Sequence, residues 1–275
     1  MNTVALALVT LFIAQAPFIA QAPMPEAAAL VKEIDAHQRR MDELRENYTF
    51  REIVLTDELD ANGAAKGTTS EERDVFFVHG YRIARLVKKN GKELSEGDSK
   101  SEQARVNRLV EKDLQSPPGH FYNRRGENVG VGQILPLMKI SNPRRITLKD
   151  RNTLTYDFIG DPHAKAHGLA ENAARKVAGT VWIDEQDHEV ARLEAHFDDT
   201  FRIGAGFLAT IQKGTSLVFE QSRLGQELWM PTTSEIHLSA RELFVRGVRQ
   251  NIHIKDSDFR RFDIGVLQQT APPAQ

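Results

Sequence analysis

Between Gly179 and Phe197 the chain reads GTVWIDEQDHEVARLEAHF, and this stretch limits the fold more than any other. Val181 and Ile183 alternate with Thr180, Trp182 and Asp184, then Ala191, Leu193, Ala195 and Phe197 alternate with Arg192, Glu194 and His196. Successive side chains of a strand point to opposite faces. A period of two on both sides of the polar run Glu185 to Asp187 therefore predicts a hairpin with two distinct faces.

The same patterning recurs along the chain. Strands are predicted at 48–59, 71–78 and 81–87, with turn signals at Asp60-Ala61-Asn62-Gly63 and Asn90-Gly91. Tyr48, Phe50, Glu52 and Val54 share one face of the first of these, and Thr49, Arg51, Ile53 and Leu55 the other. A further hairpin is predicted from 144–148 and 154–159, around Asp150-Arg151-Asn152, and later strands at 207–213, 215–221, 227–239, 241–254 and 259–264. Helical spacing marks 26–47, through Ala29, Leu30, Ile34, Met41 and Leu44. A polar surface helix is predicted over 95–115, and a short one within 161–176. The apolar segment 129–140 reads either as a helix of one to three turns or as a buried loop. Long strands accumulate twist and curl, and an open sheet exposes edges that a covering helix can protect. The expected fold class is α+β: one curved antiparallel sheet with helices on its concave face.

Residues 2–13 are uncharged and mostly apolar, and are followed by Ala14-Gln15-Ala16 and Ala20-Gln21-Ala22, two small-x-small patterns. We read 1–22 as a secretory signal peptide, cleaved on export to the periplasm, 23–265 as one domain with insertions near 95–116 and 161–177, and 266–275 as a disordered tail. The apolar run is shorter than the roughly 20 residues of a spanning helix, which argues against an integral membrane protein. With 36 Lys and Arg against 38 Asp and Glu, the chain has no electrostatic case for nucleic acid. The absence of cysteine excludes disulfides, thiolate metal sites and a thiol nucleophile.

Residues that could carry chemistry are few. His163 and His167 have the i, i+4 spacing of a metal pair, but Pro162 and Gly168 flank them and no third ligand is near. Asp184, Glu185, Asp187 and Glu189 sit in and beside a hairpin turn, where local backbone hydrogen bonding accounts for them. Gly130-Val131-Gly132 lacks the third glycine of a nucleotide loop, and no nucleophile elbow, zinc helix or phosphate loop is present. Arg124 and Arg125 beside Phe121 and Tyr122 are candidates for a contact surface. No cofactor is expected, and an exported hydrolase is the weakest reading.

In order of elements, the chain resembles the LolA/LolB and RseB superfamily of envelope proteins. VWIDEQDHEVARLEA, LGQELWMPTTSEI and DFRRFDI are the segments most similar to outer-membrane lipoprotein-sorting-like proteins. The resemblance implies an unclosed (half) β-barrel with helices as a lid over an apolar cavity. It also implies a non-catalytic carrier or sensor of a hydrophobic or acylated ligand such as a lipoprotein acyl chain. The alternative it implies is an envelope protein-interaction module with a filled core and an envelope protein as partner. For the first reading the expected cavity lining is Trp182, Leu193, Phe197, Phe207, Phe219 and Trp229.

Overall fold

The computed structural model describes residues 23–119, 131–204, 208–226, 228–242 and 246–261. The signal-peptide and tail assignments, Phe121, Tyr122, Arg124, Arg125 and Phe207 all lie outside the described residues. The chain opens with α1 (Ala27–Arg45) and a meander of β1 (Tyr48–Leu59), β2 (Ala65–Val78), β3 (Tyr81–Lys89) and β4 (Lys92–Glu93). Next come α2 (Glu96–Leu114), the short α3 (Val131–Ile134), a 3-10 turn at Leu135–Leu137, β5 (Met138–Leu148), β6 (Arg151–Gly160) and α4 (Gly168–Ala174). The remainder is β7 (Val177–Asp184), β8 (Val190–Phe197), β9 (Phe201–Ile203), β10 (Ala209–Ile211), β11 (Ser216–Leu224), β12 (Leu228–Glu242) and β13 (Arg246–Arg261).

Among the described residues all thirteen strands belong to one antiparallel sheet, ordered β4-β3-β2-β1-β13-β12-β11-β8-β7-β6-β5, with β9 and β10 attached beside β12. The first strand pairs with the last, Val54 opposite Ile254 and Glu52 opposite Asp256, so the two halves of the chain are one sheet. β4 and β5 do not pair with each other, and the barrel stays open. The expected α+β class, an unclosed curved sheet with helices, is the observed one.

Both edges are protected. β4 is only two residues long, and beyond it α2 covers the free side of β3. Glu102 accepts from the Leu86 amide at 2.7 Å, and Arg105 donates to the Ala84 carbonyl at 2.5 Å. The polar 95–115 segment is therefore an edge plug as well as a surface helix. At the opposite edge, β5 carries a register break between Ser141 and Arg144, with Asn142 at φ 51°. Neither edge offers a long flat ladder.

Two strand expectations change. The stretch 255–258, taken as a turn between strands, runs inside β13; Asp258 adopts φ 56° at a bulge opposite Phe50. A left-handed residue inside a bulge has the local composition of a turn while pairing continues on either side. Met138–Ile140, the end of the predicted apolar segment, is the start of β5, and helical turns occupy 131–137 before it.

Helix α1 crosses the concave face and is fixed at both ends. Its apolar stripe places Leu30 and Ile34 with Leu154, Tyr156 and Ile183 in one buried cluster, and Met41 with Phe50, Val75, Leu228 and Met230 in a second. Arg45, its last residue, fastens the far end: Nε donates to the Trp229 carbonyl at 3.0 Å, and Nη2 donates to Gln221 Oε1 at 2.7 Å. Nη2 also stands 3.4 Å from Glu189 Oε1, and the Glu189 side chain is 1% exposed. Removing one partner of a buried ion pair leaves the other charge uncompensated. Arg45→Ala is expected to cost about 3–5 kcal/mol in urea unfolding, whereas Arg39→Ala, whose side chain pairs with Asp35 and is 52% exposed, is expected to cost about 1 kcal/mol or less.

Candidate functional site

Between α1 and the sheet lies a cavity of about 720 Å³. That volume falls within the roughly 300–1,000 Å³ typical of small-molecule sites. Side chains from β3 through β1, β13 and β12 round to β5 all reach it, which a flat sheet would not permit.

The cavity has two unlike walls. From β5 and β6 come Met138, Ile140, Tyr156 and Phe158; from β7 and β8 come Val177, Val181, Ile183, Leu193 and Ala195. Phe158 can lie across the floor because its neighbour on β7 is Gly179, where an added Cβ would collide with the Glu194 carbonyl and crowd the Phe158 ring. Every charged lining residue comes from elsewhere: Glu52 on β1, Arg73 on β2, Arg82 on β3, Asp256 on β13, and Asp42 and Arg45 near the end of α1. One helix therefore borders both compartments, with Leu30, Val31 and Ile34 on the apolar side and Gln38, Asp42 and Arg45 on the polar side.

Glu52 is the centre of the polar wall. Its side chain is 5% exposed, and Oε1 accepts from Arg73 Nη1 at 3.1 Å while Oε2 accepts from Arg82. Asp256 stands directly opposite on β13, with Oδ1 buried and without a hydrogen-bond donor. Burial, reinforced by the negative charge of Glu52 and partly offset by Arg82, pushes the Asp256 carboxyl up to about 7. Glu189 lies behind Arg45 and Gln221; burial raises its carboxyl too, although Arg45 and the 3.0 Å hydrogen bond from Gln221 Nε2 oppose the shift. The Tyr156 hydroxyl on the apolar wall is buried without a partner.

Of the residues expected from sequence to line the cavity, Leu193 and Phe219 stand on its wall. Trp182 is on the other face of β7 from Val181 and Ile183, stacked with the Arg192 guanidinium 5.6 Å from its ring centre. Phe197 packs on Phe201, ring centres 6.0 Å apart, and Trp229 is 4% exposed with its indole N–H donating to Asp187 at 2.9 Å. Asp184 does serve the turn, accepting from the amides of Gln186 and Asp187. Glu189 does not: it reaches inward to Arg45. His163 and His167 are exposed, and their backbone amides donate to Asp161 and Glu171 respectively. Sequence reasoning passed over Glu52, although its signal was present: it shares the inward parity of Phe50 and Val54.

No family model matches the chain, and no curated protein matches it. Three solved structures are similar to the chain at low identity. One, from Vibrio parahaemolyticus, bears a name tied to outer-membrane lipoprotein sorting; it is 9% identical, with a TM-score of 0.42 over 89% of this chain and 98% of that one. A DUF1329 family protein from Desulfovibrio piger is 12% identical, with a TM-score of 0.34 over 86% and 94%. MucB, solved in complex with MucA(peri), is 9% identical, with a TM-score of 0.22 over 83% and 98%. Among the described residues, no helix is long and apolar enough to cross a membrane.

The raised Asp256 carboxyl gives a signed pH dependence. Its proton is held up to about 7 in the folded state and up to about 3.8 in the ordinary state. Between these values the folded chain binds more protons than the unfolded one, so this residue's contribution to stability falls as pH rises through the window. Asp256→Asn removes the charge that has to be buried. Its melting temperature relative to the parent is expected to be higher at pH 8 than at pH 4.5; the same difference at both pH values would contradict the assignment.

Proposed function

We propose that this protein is a non-catalytic periplasmic carrier or sensor that holds the apolar part of one lipidic or acylated ligand beneath α1. The observation that supports it is the cavity of about 720 Å³ among the described residues, walled on one side by aliphatic and aromatic side chains of β5 to β8. Burying an apolar chain there removes hydrocarbon from water at roughly 25 cal/mol per Å². The site is a half-open cleft, and lifting of α1 from one of its two anchor points is expected to widen it, a movement of the kind that gates binding sites.

The second reading, an envelope protein-interaction module, draws on Ile146 and Ile159. These are 39% and 47% exposed on the β5–β6 hairpin, where a partner chain could cover them. Blocking the cavity separates the two readings.

Leu193→Trp places an indole in the apolar compartment. The unsubstituted protein is expected to bind N-phenyl-1-naphthylamine saturably and to release it to palmitate. The variant is expected to lose at least about tenfold in probe affinity, or about 1.4 kcal/mol, while keeping its far-ultraviolet circular dichroism. Equal probe binding by both proteins would contradict a ligand beneath α1.

A further inference from the structure

The polar wall of the cavity is more selective than a carrier of bare hydrocarbon requires. We propose that Asp256 is the acceptor for a cationic amine head group, so that the ligand is an amphiphile with an ammonium at one end and an apolar chain at the other. This rests on the carrier reading of the cavity and names the class of its ligand.

Three observations converge. First, both carboxylate oxygens of Glu52 already have a cationic donor, Arg73 on one and Arg82 on the other. Second, the guanidinium groups at the cavity already have acidic partners. Arg73 also pairs with Glu71, and Arg45 is held by Asp42, Gln221 and Glu189. An anionic head group would have to compete for them while facing Asp42, Glu52 and Asp256. Third, Asp256 Oδ1 is buried on this wall with no donor. Ionising a carboxylate that keeps one buried oxygen without a donor is costly, and an ammonium entering from the cavity supplies the opposite charge and a charge-assisted hydrogen bond to the half-buried side chain.

The apolar compartment lies where the chain of such a ligand would run. Ile34 and Arg45 border the two compartments and are eleven positions apart on α1, about 16 Å along the axis at 1.5 Å per residue. A ligand bound at Asp256 can therefore extend its chain under the same helix toward Leu30, Val181 and Ile183. Phe50 and Phe77 stand beside the charged wall on β1 and β2, where their ring faces can accommodate a cation.

The test compares head groups on one chain. Decylamine, decanol and decanoate are titrated into the protein below their micelle concentrations and followed by calorimetry and by displacement of N-phenyl-1-naphthylamine. Decylamine is expected to bind at least about tenfold tighter than decanoate at pH 8, the scale of a charge-assisted hydrogen bond. The preference is expected to shrink toward pH 6 as Asp256 takes up its proton. Glu52 from β1, Arg73 from β2, Arg82 from β3, and Asp42 and Arg45 from α1 face the same compartment and set the field in which it titrates. In Asp256→Asn, with folding checked by its melting curve, the amine-to-carboxylate ratio is expected to fall about tenfold. The parent's own selectivity decides the matter even if that variant is unstable. Equal binding of the three compounds, or tighter binding of decanoate, overturns the amine assignment and leaves the carrier reading standing. If none of the three binds or displaces the probe, the carrier reading fails and this inference with it.

Discussion

A curled sheet offers a concave face wider than one helix can cover, and this mismatch shapes the rest of the molecule. Strands as far apart in the sheet as β3 and β6 look into the same space, with α1 laid across it. The helix is packed at its two ends, around Leu30 and Ile34 and around Met41, and among the described residues a cavity lies between it and the sheet. Interiors are ordinarily close-packed, whereas the apolar wall of this half-open cleft forgoes such contacts. A ligand chain would recover them.

The same helix imposes an electrostatic demand. Charged groups covered by α1 must be paired, and the chain meets this through Arg45 with Gln221 and Glu189, and through Glu52 with Arg73 and Arg82. Glu189 and Asp256 each keep one buried oxygen that no donor reaches, but the other oxygen of Glu189 accepts from Arg45 and Gln221. The polar wall and the apolar wall thus follow from one architecture, since the β1–β13 seam carries acidic residues at its inward positions while β5 to β8 carry hydrocarbon. The 95–116 insertion serves the open sheet by another route: Glu102 and Arg105 of α2 occupy the Leu86 amide and the Ala84 carbonyl on β3, which shields that edge of the unclosed barrel.

Much of this was legible in the residues. Alternation identified the strands because side chains on opposite faces of a half-buried sheet meet different solvents, and Asn90-Gly91 marked its turn because both residues adopt positive φ there. The same alternation placed Leu193 inward and put Trp182 with Arg192 and Glu194 on neighbouring outward positions; ranking residues by aromatic size rather than by parity obscured this. Glu52 was readable as an inward charge for the same reason. Asp256 was hidden because a bulge at Asp258 has the composition of a turn. Glu189 looked like the rest of its acidic turn, and only the long-range approach of Arg45, 144 positions away, distinguishes it. Pairing across that distance leaves no local signal.

The most direct test of a ligand-holding cavity is native mass spectrometry of the protein purified from its own cells without detergent, set against the same sample denatured. The account predicts a native mass in excess of the chain by one amphiphile, lost on denaturation and recovered in the organic extract. A single mass equal to the bare chain under both conditions, in material whose cavity still admits an added amphiphile, would show that the protein does not carry a ligand in the cell and would contradict the central claim.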